Sequence, residues 1–201
     1  MQQYGAALVA LYCDRETASL VPEQILHPVE CERYNAMSLA RKRDFLKGRY
    51  AIKSILNDSP TNQMSRILIA AASTGKPYAP SQPKLFCSIS HSDGYAAAAV
   101  SAQRSIGIDI EKIKSRHPAF VRSISDAEEA EQLGLTYPSE IIPTVLWAIK
   151  EAAAKADERI YPLKEYTVSS IGQLFVQRSS SRWSVSVSIL SRHVSAVALA
   201  I

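Results

Sequence analysis

Ile106-Gly107-Ile108-Asp109-Ile110-Glu111 reads as a strand in which isoleucines alternate with a glycine and two carboxylates. Residues i and i+2 of a strand share a face. Asp109 and Glu111 therefore point one way, and Ile108 and Ile110 point the other way, toward a core. Two hard oxygen donors about 6–7 Å apart at the backbone suit one Mg²⁺, which takes few carboxylates, several waters and phosphate oxygens. An edge strand carrying two solvated acids has the same pattern. Gly107 permits a close backbone approach or a local twist.

Around this strand the chain reads as two halves of similar content, meeting near residues 101–105. The first, residues 1–102, starts with a compact apolar strand, Ala6 to Tyr12. A helical pattern follows from Glu23 to Leu56, with Leu39, Phe45, Leu46, Ile52, Ile55 and Leu56 as its apolar stripe. The intervening Arg41, Lys42, Arg43, Lys47, Arg49 and Lys53 read mostly as a solvated face. Asn57-Asp58-Ser59-Pro60 ends the helix. Ser65 to Ala72 is a candidate strand, and Ser73 to Pro77 a turn. Leu85 to Ser90 and Tyr95 to Ser101 flank Asp93-Gly94, a hairpin signal. With Ile106 to Ile110 these strands predict an antiparallel meander.

The second half, residues 103–201, adds a helix over Pro118 to Gly134, with Asp126, Glu128, Glu129 and Glu131 on its polar side. A stronger helix runs from Thr144 to Arg159. Trp183, Val185, Val187 and Ile189 alternate with serines as a half-buried strand, and Val194 to Ile201 is apolar. No sequence repeat is evident. The expectation is an α+β protein of two tightly packed halves.

On the second helix Trp147, Glu151 and Lys155 stand at i, i+4 and i+8 and form one stripe, with Lys150 beside it. Ala152, Ala153 and Ala154 leave room for something to approach. Glu151 suits a third metal ligand or a general base, and Lys155 a point cation for phosphate. An exposed Glu–Lys pair reads the same way, although Trp147 argues for partial burial. Ser90 and His91 can donate to an anion; a Ser–His hydrolase is disfavoured because neighbours on a strand point apart and G-x-S-x-G is absent. Gly75-Lys76-Pro77 belongs to no Walker loop, and no G-x-G-x-x-G occurs.

The 201 residues are 47% apolar and 21% charged, which argues against global disorder. A net charge of +4 suits anionic partners. With aromatics at 7% and no interleaved basic stripe, nucleic acid is not expected. Cys13, Cys31 and Cys87 have neither zinc nor CxxC spacing and read as free thiols in a reducing cytosol. The N-terminus lacks a signal-peptide pattern, and no stretch is long enough to span a membrane. A soluble cytoplasmic protein is expected.

In their order, Gly75-Lys76-Pro77, Ser88-Ile89-Ser90-His91-Ser92, Gly107-Ile108-Asp109-Ile110-Glu111 and Trp147-Ala148-Ile149-Lys150-Glu151-Ala152-Ala153-Ala154-Lys155 resemble the surfactin-synthetase-activating (Sfp-like) 4′-phosphopantetheinyl transferases. Arg43-Asp44-Phe45-Leu46-Lys47-Gly48-Arg49 is similar to the family's basic helix. The resemblance runs from about Arg41 to Lys155. It implies a monomer of two subdomains related by pseudo-twofold symmetry, each a small antiparallel sheet with packed helices, and coenzyme A lying between the halves. It also implies transfer of 4′-phosphopantetheine from coenzyme A to a serine of an apo acyl or peptidyl carrier protein, with release of 3′,5′-ADP.

By that resemblance Asp109, Glu111 and Glu151 hold Mg²⁺, or Mn²⁺, and Glu151 or a metal-bound water takes the serine proton. Lys155 offsets pyrophosphate charge. Arg43 and His91 bind the 3′-phosphate, Ser90 belongs with the coenzyme A-binding residues, Lys76 lies near the adenine, and Lys150 contacts phosphate or points elsewhere. Upstream, the family's phosphate lysines have only Arg33 as a counterpart. Glu128 takes a supporting acidic role. Lys112, Lys114, Arg116 and Arg122 are candidates to meet the acidic carrier, or form a solvated loop. The competing function is a non-catalytic module that binds coenzyme A or a nucleotide.

Overall fold

A computed structural model describes residues 2–4, 7–57, 61–157, 161–170 and 173–201. Its backbone divides into two units, Met1–Gln103 and Arg104–Ile201. Each is an antiparallel sheet with helices packed on it, so the class is α+β with two similar subdomains.

The first unit runs β1 (Gln2–Tyr4), β2 (Ala7–Cys13), α1 (Asp14–Thr17), α2 (Pro22–Ile25), α3 (Pro28–Asn35), α4 (Leu39–Leu56), β3 (Ala70–Ala71), β4 (Pro77–Tyr78), β5 (Phe86–Ser92) and β6 (Tyr95–Ser101). Its main sheet has the order β1-β2-β6-β5. α4 packs on it through Ala51, Ile52 and Ile55, against Ala10, Cys87 and Ala98. Each buried isoleucine contributes about 1.5–3 kcal/mol. β5 and β6 form the expected hairpin, with Asp93 and Gly94 both at positive φ, as its two-residue turn requires.

The second unit runs β7 (Ile106–Lys112), α5 (Pro118–Ile124), α6 (Ala127–Gly134), α7 (Ile142–Ala156), β8 (Thr167–Ser169), β9 (Phe175–Arg178), β10 (Ser181–Leu190) and β11 (His193–Ala200). Its sheet has the order β7-β11-β10-β9-β8. α7 carries Val145, Leu146 and Ile149 into a core shared with Trp183, Val185 and Val194. Among the described residues no helix is long and apolar enough to cross a membrane.

Several expected elements are redrawn. The helical run from Glu23 to Leu56 is three helices, because His27 caps α3 ahead of Pro28 and Ser38 opens α4. The run from Pro118 to Gly134 breaks at Asp126, whose carboxylate accepts from Glu129 N at 3.0 Å to start α6. Residues 65–72 form the end of a 3₁₀ turn (Thr61–Arg66) and the two-residue β3 rather than a long strand. The meander stops at β6, and β7 pairs instead with β11. Ala6, Asp58, Ser59, Pro60, Glu158 and Arg159 lie outside the described residues, so those ends of the expected strand and helices do as well.

Both units contain the same buried polar device. In the first, Glu30 Oε2 accepts from His27 N at 2.9 Å, and Oε1 accepts from Ile69 N at 3.3 Å and Arg49 Nε at 2.6 Å. The fully buried Lys53 donates to Glu30 and, at 2.7 Å, to the Ile25 carbonyl. In the second, Glu129 Oε2 accepts from Asp126 N at 3.0 Å, and Oε1 accepts from Val168 N at 2.7 Å. The fully buried Lys150 donates to Glu129 at 2.9 Å and to the Ile124 carbonyl at 2.6 Å. The glutamate stands 39 residues ahead of the backbone amide it accepts from, Ile69 or Val168, in both units. It stands 23 and 21 residues ahead of its lysine. The repeat that the sequence hides is thus written in its buried charges. Arg49, Lys53 and Glu129 are interior, against the expectation of solvated faces, because each finds a partner that offsets its desolvation.

The sheets follow the same correspondence. The run β2-β6-β5 matches β7-β11-β10, with Cys13 opposite Tyr95 and Lys112 opposite His193. Ala10 and Tyr12 therefore occupy the positions of Asp109 and Glu111. With Lys53 matched to Lys150, Tyr50 and Ser54 occupy those of Trp147 and Glu151.

Candidate functional site

β7 can lie directly on α7 because residue 107 has no side chain. A Cβ at Gly107 would stand 1.9 Å from the Ala152 carbonyl oxygen and 2.7 Å from Ala156 N. The small alanines of α7 thus receive the strand of their own unit. The next residues on that strand face, Asp109 and Glu111, are held against the same helix. They do not lie on an outer face opposite the core: Asp109 is 3% exposed, while Ile106, Ile108 and Ile110 are fully buried on the other face.

One stripe of α7 meets these acids. Lys155 Nζ donates to Asp109 Oδ1 at 2.6 Å. Trp147 Nε1 donates to Glu111 Oε1 at 3.2 Å, and Arg116 Nη2 donates to Glu111 Oε2 at 3.0 Å. Glu151, between them in sequence, is half-buried. Burial pushes its carboxyl above the ordinary value; Lys155 opposes this, and Asp109 and Glu111 add to the rise. The three acids are therefore within electrostatic reach of one another. Among the described residues no three of His, Cys, Asp and Glu already stand as a ligand set. Asp109 and Glu111 are turned to cations instead. The donors fit a hard divalent ion chemically, since all are carboxylates whose charge is only partly offset by Lys155 and Arg116.

Arg116 was expected at a carrier surface or in a solvated loop. Its guanidinium is instead drawn inward over Phe120, 5.0 Å from the ring centre, and Trp147, 5.6 Å away. Its only sequence signal was an arginine five residues beyond Glu111. Lys150 is also displaced from its expected role. It is fully buried in the Glu129 network, and burial lowers its pKa against the pull of Glu129. The buried acid of α6 is Glu129; Glu128 accepts from Gln132, at 3.4 Å.

The remaining candidates lie in the first unit. Arg43 is exposed on α4. His91 ends β5 on the α4 face, with Nδ1 3.7 Å from Asp44 Oδ2, so the basic helix and the His91 strand meet there. Lys47 is buried and donates to Asp14 at 2.7 Å. Ser90 points to the opposite sheet face and is buried, which separates it from His91. Lys76 is half-buried just before β4, after a turn closed by Gly75 N donating to the Ala72 carbonyl at 2.8 Å.

The acids are not required by the fold. At the matching places of the first unit, Ala10 packs against the α4 core and Tyr12 meets Tyr50 at a tilt of 59°, with ring centres 4.7 Å apart. The same framework stands there without the carboxylates.

Comparison with known proteins finds family matches in both halves. Residues 30–101 match the 4′-phosphopantetheinyl transferase N-terminal domain, and residues 105–196 match the 4′-phosphopantetheinyl transferase superfamily. The chain is 34% identical over 149 residues to the 4′-phosphopantetheinyl transferase Npt of Nocardia iowensis, covering 70% of this chain and 64% of that protein. It is 31% identical over 147 residues to enterobactin synthase component D of Salmonella typhi, covering 71% of this chain and 59% of that protein. The chain thus spans about three fifths of the length of these relatives. With family matches on both halves and the acid cluster seated in the second, the chain belongs to the 4′-phosphopantetheinyl transferase superfamily.

Proposed function

We propose that the chain transfers the 4′-phosphopantetheine of coenzyme A to a serine hydroxyl of an apo acyl or peptidyl carrier protein, as a cytoplasmic enzyme of the surfactin-synthetase-activating type. The observation that carries this reading is the acid cluster of Asp109, Glu111 and Glu151 on a framework whose twin does without it. A cluster that costs stability and is not needed for folding is retained for chemistry.

Asp109, Glu111 and Glu151 are the residues that would hold Mg²⁺ or Mn²⁺, which would neutralise pyrophosphate charge and polarise the reacting phosphoryl group. Glu151 is assigned as the acceptor of the serine proton. The serine oxygen forms a bond to the β-phosphorus as the bond to the bridging oxygen of 3′,5′-ADP breaks, and the serine proton passes to Glu151. Lys155, 30% exposed at its side chain, brings a positive charge beside the acids. Arg43 and His91 are assigned to the 3′-phosphate, Arg43 with its bidentate fork. Lys76 is assigned to the adenine end and Ser90 to positioning the strand that carries His91.

The test mixes the protein with coenzyme A, Mg²⁺ and a panel of purified apo carriers. Intact mass should rise on a carrier by one phosphopantetheine, and EDTA should prevent it. Binding of coenzyme A with no mass gain on any carrier would support a non-catalytic module instead.

A further inference from the structure

Arg116 holds Glu111 in a manner unlike the other buried pairs. The guanidinium makes one hydrogen bond to the carboxylate, and its Nε is buried with no hydrogen-bond partner among the described residues. A buried donor left unmade weakens the hold of the whole group. Arg49, by contrast, donates its Nε squarely to Glu30 at 2.6 Å. Arg116 also sits on residues 113–117, a stretch without regular structure between β7 and α5. Two aromatic faces keep the cation at the site, yet the side chain remains 13% exposed.

We propose that Arg116 is an exchangeable counter-cation. It neutralises Glu111 while no metal is present, and it leaves when a divalent cation takes its place. The inference rests on the metal-site reading above and adds a competitor built into the chain. Cation and guanidinium address the same carboxylate charge, so each lowers the affinity of the other by the same factor. Removing Arg116 therefore tightens metal binding, while Lys at this position keeps the competing charge.

The experiment measures Mn²⁺ affinity of the whole chain in the absence of coenzyme A, by electron paramagnetic resonance of free Mn²⁺. A Trp183→Phe background adds a second readout, since Trp147 is then the only tryptophan, and bound paramagnetic Mn²⁺ should quench it. Arg116→Ala should bind Mn²⁺ about tenfold more tightly than wild type, within the usual range of coupling between sites. Arg116→Lys should remain within about threefold of wild type on the same scale. Circular dichroism establishes that each variant is folded. Unchanged or weaker binding by a folded Arg116→Ala overturns the exchange while leaving the metal site standing. Absence of Mn²⁺ binding in wild type and in Arg116→Ala alike overturns the metal site and the exchange together.

Discussion

Replacing Lys150 with Met separates a structural lysine from a phosphate-binding one. The side chain is fully buried, 2.9 Å from Glu129 Oε2 and 2.6 Å from the Ile124 carbonyl. Met fills a similar volume but donates nothing. Glu129 would keep its bonds from the Asp126 and Val168 amides and lose its counter-cation. Breaking a buried pair by removing one partner costs about 3–5 kcal/mol. The retained amide bonds and the apolar volume of Met argue for the lower end, about 3 kcal/mol. For a chain of this length that is a fall in Tm of roughly 6–12 °C. Lys150→Met/Glu129→Gln, which removes both charges, should recover part of the loss, with a coupling of about 1–3 kcal/mol. The pH dependence supplies a further check. Burial lowers the Lys150 pKa below its usual 10.5, so the folded state binds fewer protons than the unfolded state between the folded value and 10.5. Wild-type stability therefore rises with pH through that window, and Lys150→Met removes this contribution. Thermal unfolding followed by circular dichroism across pH reads both effects. An unchanged Tm together with a large loss of coenzyme A affinity would refute the reasoning and return Lys150 to the phosphate.

Gly107→Ala should be among the most damaging single-methyl changes, because its Cβ would overlap the Ala152 carbonyl oxygen at 1.9 Å. Backbone on both sides cannot yield cheaply, so a loss of about 3 kcal/mol or more is expected in denaturant unfolding; a wild-type midpoint would show that β7 does not sit on α7 as described. Glu151→Gln should abolish transfer yet raise Tm, because burial disfavours the charged carboxylate. Its folded pKa is raised, so stability from its protonated form is complete below the unfolded value and is lost as pH rises through the folded value. The advantage of Gln should therefore grow across that interval and level off above it, and a stability gap independent of pH would contradict the assignment.

The strands and the site acids were legible because their signals are local. Alternation marks β10, Asp93-Gly94 marks the β5–β6 turn, and the i, i+2 spacing places Asp109 and Glu111 on one face. The motif on α7 was legible for the same reason: Trp147, Glu151 and Lys155 form a stripe at helical spacing. Interruptions within helical runs were harder to read, since His27 and Asp126 act as caps only once the chain has turned there. The fate of β7 was hidden because its partner, β11, lies some 80 residues downstream and local pattern does not report long-range pairing. Buried charge was the hardest feature. Lys53 and Lys150 look like any solvated lysine on a helix, and only the approach of Glu30 and Glu129 from another helix makes an interior position affordable. Arg116 was misread for the same reason, because Phe120 and Trp147 reach it from two different elements.

The duplicated network bears on function as well as on folding. A charge found at matching places in both units, as in Glu30–Lys53 and Glu129–Lys150, is explained by the architecture they share. A charge present in only one unit needs another explanation. Asp109, Glu111 and Glu151 replace Ala10, Tyr12 and Ser54, and the replacement puts like charges together on a buried surface, which opposes folding. Lys155 opposes the rise in the Glu151 pKa, but burial drives it up, and Asp109 and Glu111 add to it. The first unit thus serves as an internal control for the second. Its α4 core closes over Ala10 with no cation required, so the acids of β7 and α7 are an addition to the framework, placed where a divalent cation would relieve them.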